Sequence, residues 1–266
     1  MQLLAIIVTG CAKVAGALVG WLAHVHMFLY GILPALLPPD RLGHLMRRFY
    51  DRSYAQAGTQ LPLTAYSWSL EPWEERVLAQ HMPIPATTLI LGSGLGRESL
   101  VLARRGYRVL GLDLARAGSV IGVRRATELN LPVTFAQADF LALPVRPESV
   151  TYILLSGVMY SAVPGRARRQ AWLRNLKQCL APGGKLVLNF VITREPETAL
   201  SRRIQTCSRL ILRLPGSNRA YQPGDTCTNG HFMHVFRDEE ELRTEIAGTD
   251  LSLLELNWAD GYAVLS

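Results

Sequence analysis

Lysine is nearly missing from this chain of 266 residues: of 28 basic side chains only Lys13, Lys177 and Lys185 are lysines, the rest being arginines. Cysteine is as sparse. Cys11, Cys179, Cys207 and Cys227 are scattered, with no C-x-x-C pair and no His/Cys spacing of a zinc site. That excludes a disulfide scaffold, argues for reduced thiols and leaves no expected metal. Internal repeats and low-complexity tracts are absent as well. A composition of 49% hydrophobic and 18% charged residues suits a packed core, not a disordered chain. Charge is missing most unevenly near the start, where Lys13 is the only charged side chain from Met1 to Pro39.

From Val14 to Leu37 the chain reads VAGALVGWLAHVHMFLYGILPALL, without a charge. As a helix this run would extend about 36 Å, and a bilayer core requires about 20 residues. Gly16 and Gly20 form a G-x-x-x-G pair that lets a second membrane helix approach, so a homodimer through this segment is one expectation. Arg41, Arg47, Arg48 and Arg52 follow, the pattern that keeps a body on the cytoplasmic side. His24 and His26 interrupt the run, and Pro34 is expected to kink or end the helix. Three readings stand: a spanning anchor, which length and lack of charge favour, a helix in the headgroup layer, or a helix packed on the body. A cleaved signal peptide fits worse, because neither a basic n-region nor a small-residue cleavage site is evident.

Beyond residue 86 short apolar runs alternate with helical patterns. Strands are expected at 88–91, 108–112, 133–137, 150–155 and 185–192, with helices at 97–105, 116–129 and 166–180. Such alternation argues for a parallel sheet covered on both faces. Asp238, with Glu241 three residues later, predicts a capping box for a helix to Ala247. Two closing strands, 251–257 and 262–265, flank Asp260-Gly261 turn chemistry, so the last pair is expected to be antiparallel.

The first strand runs into Leu91-Gly92-Ser93-Gly94-Leu95-Gly96-Arg97-Glu98 and then a helix. Glycines there let backbone approach a ligand and present helix N-terminal amides. Arg97 stands where a dinucleotide fingerprint requires its last glycine, which counts against a pyrophosphate ligand. Asp113 lies 19 residues beyond Gly94 at the end of the second strand, where a carboxylate can accept both hydroxyls of a ribose.

With LILGSGLGRES, RVLGLD, FAQADFLALPV, SVTYILLSGVMY and LKQCLAPGGKLVLNF in this order, the sequence resembles the class I S-adenosylmethionine-dependent methyltransferases from about Tyr50 onward. The resemblance implies an α/β, Rossmann-like, doubly wound seven-stranded sheet with an antiparallel last strand, here preceded by an apolar N-terminal helix. It implies S-adenosyl-L-methionine as cofactor, with Gly92, Ser93, Gly94 and Gly96 along its methionine part. Asp113 would hold the ribose, Leu114 would lie against the adenine, and Asp139, flanked by Ala138 and Phe140, would accept from the adenine amino group. Ser156, Gly157 and Val158 would border the transferable methyl, and Tyr50 and Tyr54 would close over the cofactor. Two positions depart from the family pattern: Ile90 stands where an acid is common, and Val150-Thr151 where Phe-Asp is common.

Methyl transfer from a sulfonium needs alignment more than acid–base chemistry, so no catalytic residue is assigned. Tyr160, His231 and His234 are weak candidates for a base, each with an ordinary scaffold reading beside it. The expected organisation is an apolar segment 1–39, lid helices 40–86, and a methyltransferase domain 87–266 with a substrate-cap insertion 194–230. In that insertion Leu200, Ile204, Cys207, Ile211 and Leu214 recur at helical spacing, surrounded by Arg202, Arg203, Arg209 and Arg213. The stripe reads either as an ordinary lid helix or as an interfacial one. The leading function is a membrane-associated methyltransferase acting on a lipid or lipophilic small molecule. Alternatives are a soluble metabolite methyltransferase with a packed N-terminal helix, or an inactive cofactor-binding scaffold. Nucleic acid is not expected as a partner, despite a net charge of +7, because no D/N-P-P-Y-type loop or RNA-binding module accompanies it.

Overall fold

The computed structural model describes residues 2–60, 69–194 and 198–266, and for 2–7 and 57–60 the backbone alone. Residues 61–68 of the expected lid segment and 195–197 of the insertion lie outside the described residues. Three helices lead in chain order, α1 (Gln2–Leu36), α2 (Pro39–Gln60) and α3 (Pro72–His81). The alternating part follows as β1 (Thr87–Leu91), α4 (Arg97–Arg104), β2 (Arg108–Asp113), α5 (Arg116–Glu128), β3 (Val133–Gln137), β4 (Val150–Leu155), α6 (Arg166–Cys179) and β5 (Leu180–Asn189). Then come β6 (Val191–Ile192), α7 (Ala199–Ile211), β7 (Asp225–Thr228), β8 (His231–Phe236), α8 (Glu239–Ala247), β9 (Leu253–Asn257) and β10 (Tyr262–Leu265).

The main sheet has seven strands in the order β3-β2-β1-β4-β5-β10-β9, and β10 is antiparallel to both neighbours. Its central strands carry unbroken apolar runs, Leu89–Leu91, Ile153–Leu155 and Leu186–Leu188, because both faces are covered. Leu89, Leu91, Ile153, Leu155, Leu186 and Leu188 enter one core layer with Trp172 and Leu173 of α6. Ile90, Leu154, Val187 and Val264 enter the other, with Val77 of α3 and Val101 and Leu102 of α4. Ile90 is thus a core residue, fully buried, which accounts for the apolar side chain where the family often carries an acid.

Two expectations need correction. The run 185–192 is not one strand: the chain breaks at Phe190, and β6 leaves the main sheet for a second sheet of order β6-β8-β7. The expected capping box at α8 is also only half formed. Asp238 accepts from the Glu241 amide at 2.8 Å, but the Glu241 carboxylate accepts from the Arg237 amide at 3.0 Å instead of closing on Asp238.

α1 continues through Pro34, and its two halves differ. The C-terminal half is fastened to the insertion. Asn218 donates through its side chain to the Pro34 carbonyl at 2.8 Å and through its amide to the Ala35 carbonyl at 2.9 Å. A Cβ on Gly31 would fall 2.6 Å from Ile204 of α7. The apolar stripe of α7 is therefore partly occupied by α1, not left open as an interfacial reading of that helix expects. The N-terminal half stands clear of the body, with Val14 71% and Trp21 61% exposed.

Candidate active site

The turn after β1 is held by the neighbouring strand: the amides of Gly92 and Ser93 both donate to the Leu112 carbonyl, at 2.9 and 3.0 Å. Gly92 takes a φ of +74°, and a Cβ there would meet Met159 Cγ at 2.5 Å, so the position tolerates only glycine. Asp113, at the end of β2, is buried and accepts from the Gly94 amide at 2.7 Å and the Ala115 amide at 2.8 Å. Burial raises its pKa against the pull of these amides. Each carboxylate oxygen keeps a lone pair for a ligand hydroxyl.

A cavity of about 220 Å³ opens on this turn, lined by Gly92, Asp113, Leu114, Phe140 and Ser156 of the expected cofactor residues, together with Gly157 and Val158. A second cavity of about 290 Å³ shares Met46, Leu114 and Phe140 with the first and adds Asp139. Asp139 is exposed and accepts from the Leu141 amide at 2.9 Å. Ser93, Gly94 and Gly96 lie behind the cavity wall in the turn, and Gly96 opens α4. Ala138 is placed by its amide, which donates to the Asp113 carbonyl at 2.9 Å. Tyr50 and Tyr54 of α2 cover the same cavity. α2 is seated there by Leu42 and Met46, which pack on Ala162 and on Phe232 of β8.

The three candidate bases separate. Tyr160 is fully buried, donates to Glu245 at 2.6 Å and is not among the residues lining the glycine-turn cavity. His234 is fully buried too, with Nδ1 2.8 Å from Asp225 and Nε2 3.6 Å from Glu241. His231 stands behind Tyr50, its Nε2 2.7 Å from the phenol oxygen. Met46 and Met159 were not legible as wall residues, nor was Glu98. Glu98 is buried and accepts from Ser156 Oγ and from Arg97, both at 2.6 Å. An acid in a first helical turn is common on dipole grounds alone, so nothing marked it in the sequence.

The His234 cluster carries a pH signature. Burial opposes the imidazolium, but Asp225 and Glu241 raise His234 above its ordinary value. Burial likewise opposes the Glu241 charge, yet His234 and Arg237 bring it down to about 2. A raised histidine stabilises fully below its unfolded value of about 6.5 and loses that contribution as pH rises through its folded value. The depressed Glu241 contributes above about 4.5 and fades as pH falls toward 2. Replacing His234 by Gln is therefore expected to cost more unfolding free energy at about pH 5.5 than at about pH 8.5, by urea titration. An equal loss at both would remove the charged pair.

Beyond Val158, which also borders the first cavity, lies an open cleft of about 770 Å³ walled by Trp73, Phe190, Val191 and Ile192, with Asn189 and Arg194 among its polar groups.

Residues 89–184 match a family model described as a methyltransferase domain. These residues carry a methyltransferase domain, and the chain is similar to the class I S-adenosylmethionine-dependent methyltransferases. Carboxy-S-adenosyl-L-methionine synthases from Pseudomonas paraeruginosa and Ectopseudomonas mendocina are 32% and 33% identical to this chain over 124 residues, 42% of its length. The chain spans about half the length of these curated relatives, 48% and 49%. Among solved structures, a 1,6-didemethyltoxoflavin-N1-methyltransferase from Burkholderia thailandensis, with its acceptor and S-adenosylhomocysteine bound, superposes with a TM-score of 0.60. That match has 17% identity and covers 86% of this chain and 88% of that one. A methyltransferase from Methanosarcina mazei gives 0.52 at 21% identity, covering 74% and 96%. At these identities the likeness is one of fold. The residues of this chain also fit S-adenosylmethionine: Ser93 Oγ is buried at the glycine turn with no partner among the described residues, and the Gly92 position leaves no room for a Cβ.

Proposed function

We propose that the chain transfers the methyl group of S-adenosylmethionine to a lipophilic acceptor at a membrane surface. Val158 carries this reading, as the wall shared by the glycine-turn cavity and the larger, mostly apolar cleft. Ser93 and the Gly92 turn would hold the methionine part, Asp113 the ribose hydroxyls, and Leu114, Ala138, Asp139 and Phe140 the adenine. Ser156 and Gly157 would stand at the sulfonium side, with Glu98 behind Ser156 supplying the negative charge that Ile90 does not. When bound, the cofactor supplies a methyl group on a cationic sulfur. The chain's own part is to align the acceptor from the cleft and exclude water, with Tyr50 and Tyr54 closing one side.

Membrane association rests on α1. Val8–Leu36 is long and apolar enough to span a bilayer, and among the described residues it is the single helix of that kind. Added Cβ atoms on Gly16 and Gly20 would meet nothing within 4 Å, so that face is open to lipid or to a second copy. Arg41, Arg47 and Arg48 are exposed just beyond the helix, which suits an anionic leaflet on the cytoplasmic side. The full chain is expected to sediment with membranes. Because Gly31, Pro34 and Ala35 are fastened to the insertion, the soluble form is expected to begin near Val25. Recovery of the intact chain in the supernatant without detergent would sink the anchor.

The substrate reading is tested by incubating the chain with methyl-labelled cofactor and either a membrane lipid extract or a soluble extract. Label in the lipid pool is expected, and label in the soluble pool alone overturns it. The curated relatives suggest a second reading, synthesis of a carboxylated cofactor, which a mass spectrum of the recovered cofactor would reveal.

A further inference from the structure

Tyr50 belongs to two environments. On one side it lines the cavity that also holds Ser156, Gly157 and Val158. On the other its oxygen is 2.7 Å from His231 Nε2, on a strand of the second sheet 181 residues away in sequence. His231 is itself fixed. Phe49 stacks on the imidazole with the planes 7° apart and the centroids at 5.4 Å, and Tyr50 meets it edge-on at 5.2 Å. Across the β7–β8 hairpin His231 pairs with Thr228, which carries no charge. His26 of α1 bonds the neighbouring Asn229 side chain. On the cavity side the charged group facing Tyr50 is Asp113. A two-point contact of this kind, one group on the cavity and one behind it, is the arrangement of a base acting through a hydroxyl.

We propose that Tyr50 and His231 form a proton relay serving an acceptor that carries a phenol-like hydroxyl, an inference that rests on the methyltransferase reading above. The acceptor oxygen forms a bond to the methyl carbon as the carbon–sulfur bond breaks, its electron pair going to sulfur and leaving a neutral thioether. The acceptor proton passes to Tyr50 Oη while the Tyr50 proton passes to His231 Nε2, and the half-buried imidazolium returns it to water. Two electrostatic features support the direction of flow. Burial, with Asp113, raises Tyr50 to about 12, so it stays a neutral phenol and conducts instead of storing charge. Burial lowers His231, so it is an unprotonated acceptor at neutral pH. A hydroxyl with a pKa of about 10 needs this help, whereas an aryl thiol, already ionised, does not.

The test uses the full chain in detergent micelles with methyl-labelled S-adenosylmethionine and two probes of one shape, para-octylphenol and para-octylbenzenethiol. The relay predicts that His231→Gln lowers the ratio of phenol to thiol methylation by about 100-fold, the usual range for a lost general base. It also predicts that the acid limb of the phenol rate disappears, and that added imidazole partly restores phenol transfer in His231→Ala. Both rates falling together, as a purely structural role requires, overturns the relay. So does methylation of the thiol alone, or of neither probe, by wild-type protein that binds S-adenosylhomocysteine. Failure of the wild type to bind S-adenosylhomocysteine in calorimetry would strike the cofactor reading instead, which keeps the two failures apart.

Discussion

Replacing Arg169 by methionine is expected to lower the unfolding free energy by about 3–5 kcal/mol, the range for stranding one member of a buried ion pair. Arg169 and Glu245 are both fully buried and meet through two bonds, Nε at 2.6 Å and Nη2 at 2.8 Å. The guanidinium also donates to the Val163 carbonyl at 3.1 Å and to Gln222 at 2.9 Å. Tyr160 completes the cluster by donating to Glu245. The substitution leaves the Glu245 carboxylate in the core with the Tyr160 hydroxyl still donating to it and, among the described residues, Arg166 as its remaining cation, at 3.6 Å. Thermal unfolding should fall by about 10 °C for a chain of this size. Adding Glu245→Leu should recover most of the loss, because an apolar pair of similar volume removes the stranded charge. A single variant within about 1 kcal/mol of wild type would mean that the pair is hydrated in solution. The cluster joins α6, α8 and the insertion, so the insertion should loosen with it, visible as faster amide exchange in β7 and β8.

That cluster also marks where the sequence stopped being legible. The strands 150–155 and 262–265 stand where the apolar runs put them, because a strand covered on both faces is mostly apolar, and the edge strand 133–137 stands where its expected range put it. The glycine turn and Asp113 were readable for a related reason: backbone geometry that only glycine satisfies leaves a local trace. Tyr160 left none, since Glu245 comes from an element 85 residues away, and His234 left none because Asp225 faces it only once the β7–β8 hairpin is paired. The same holds for Tyr50 and His231. Their strand was detectable, though: Asn229-Gly230, both at positive φ, is hairpin chemistry between DTCT and HFMHVF. Recognising it would have put His231 and His234 three residues apart on a strand, hence on opposite faces, and separated their roles.

Changing Asp113 to alanine is expected to weaken S-adenosylhomocysteine binding by about 100-fold or more, measured by calorimetry. Two hydroxyls donating to one carboxylate form charge-assisted bonds of about 1.5–3 kcal/mol each, and about 2.8 kcal/mol already corresponds to 100-fold. Part of the loss should be indirect. The carboxylate also accepts the Gly94 and Ala115 amides, so alanine leaves two buried donors without a partner beside the turn that carries Ser93. Asparagine does not repair this, because its amide group presents donors to at least one of those N–H groups. Asp139→Ala separates charge placement from general damage to the pocket. Asp139 is exposed and bonded to the Leu141 amide, so water competes for its bond to the adenine amino group and the bond would return only about 1 kcal/mol, a loss near 5-fold. Equal losses at the two positions would place the ribose away from Asp113 and remove the cofactor pose on which the acceptor cleft beyond Val158 depends.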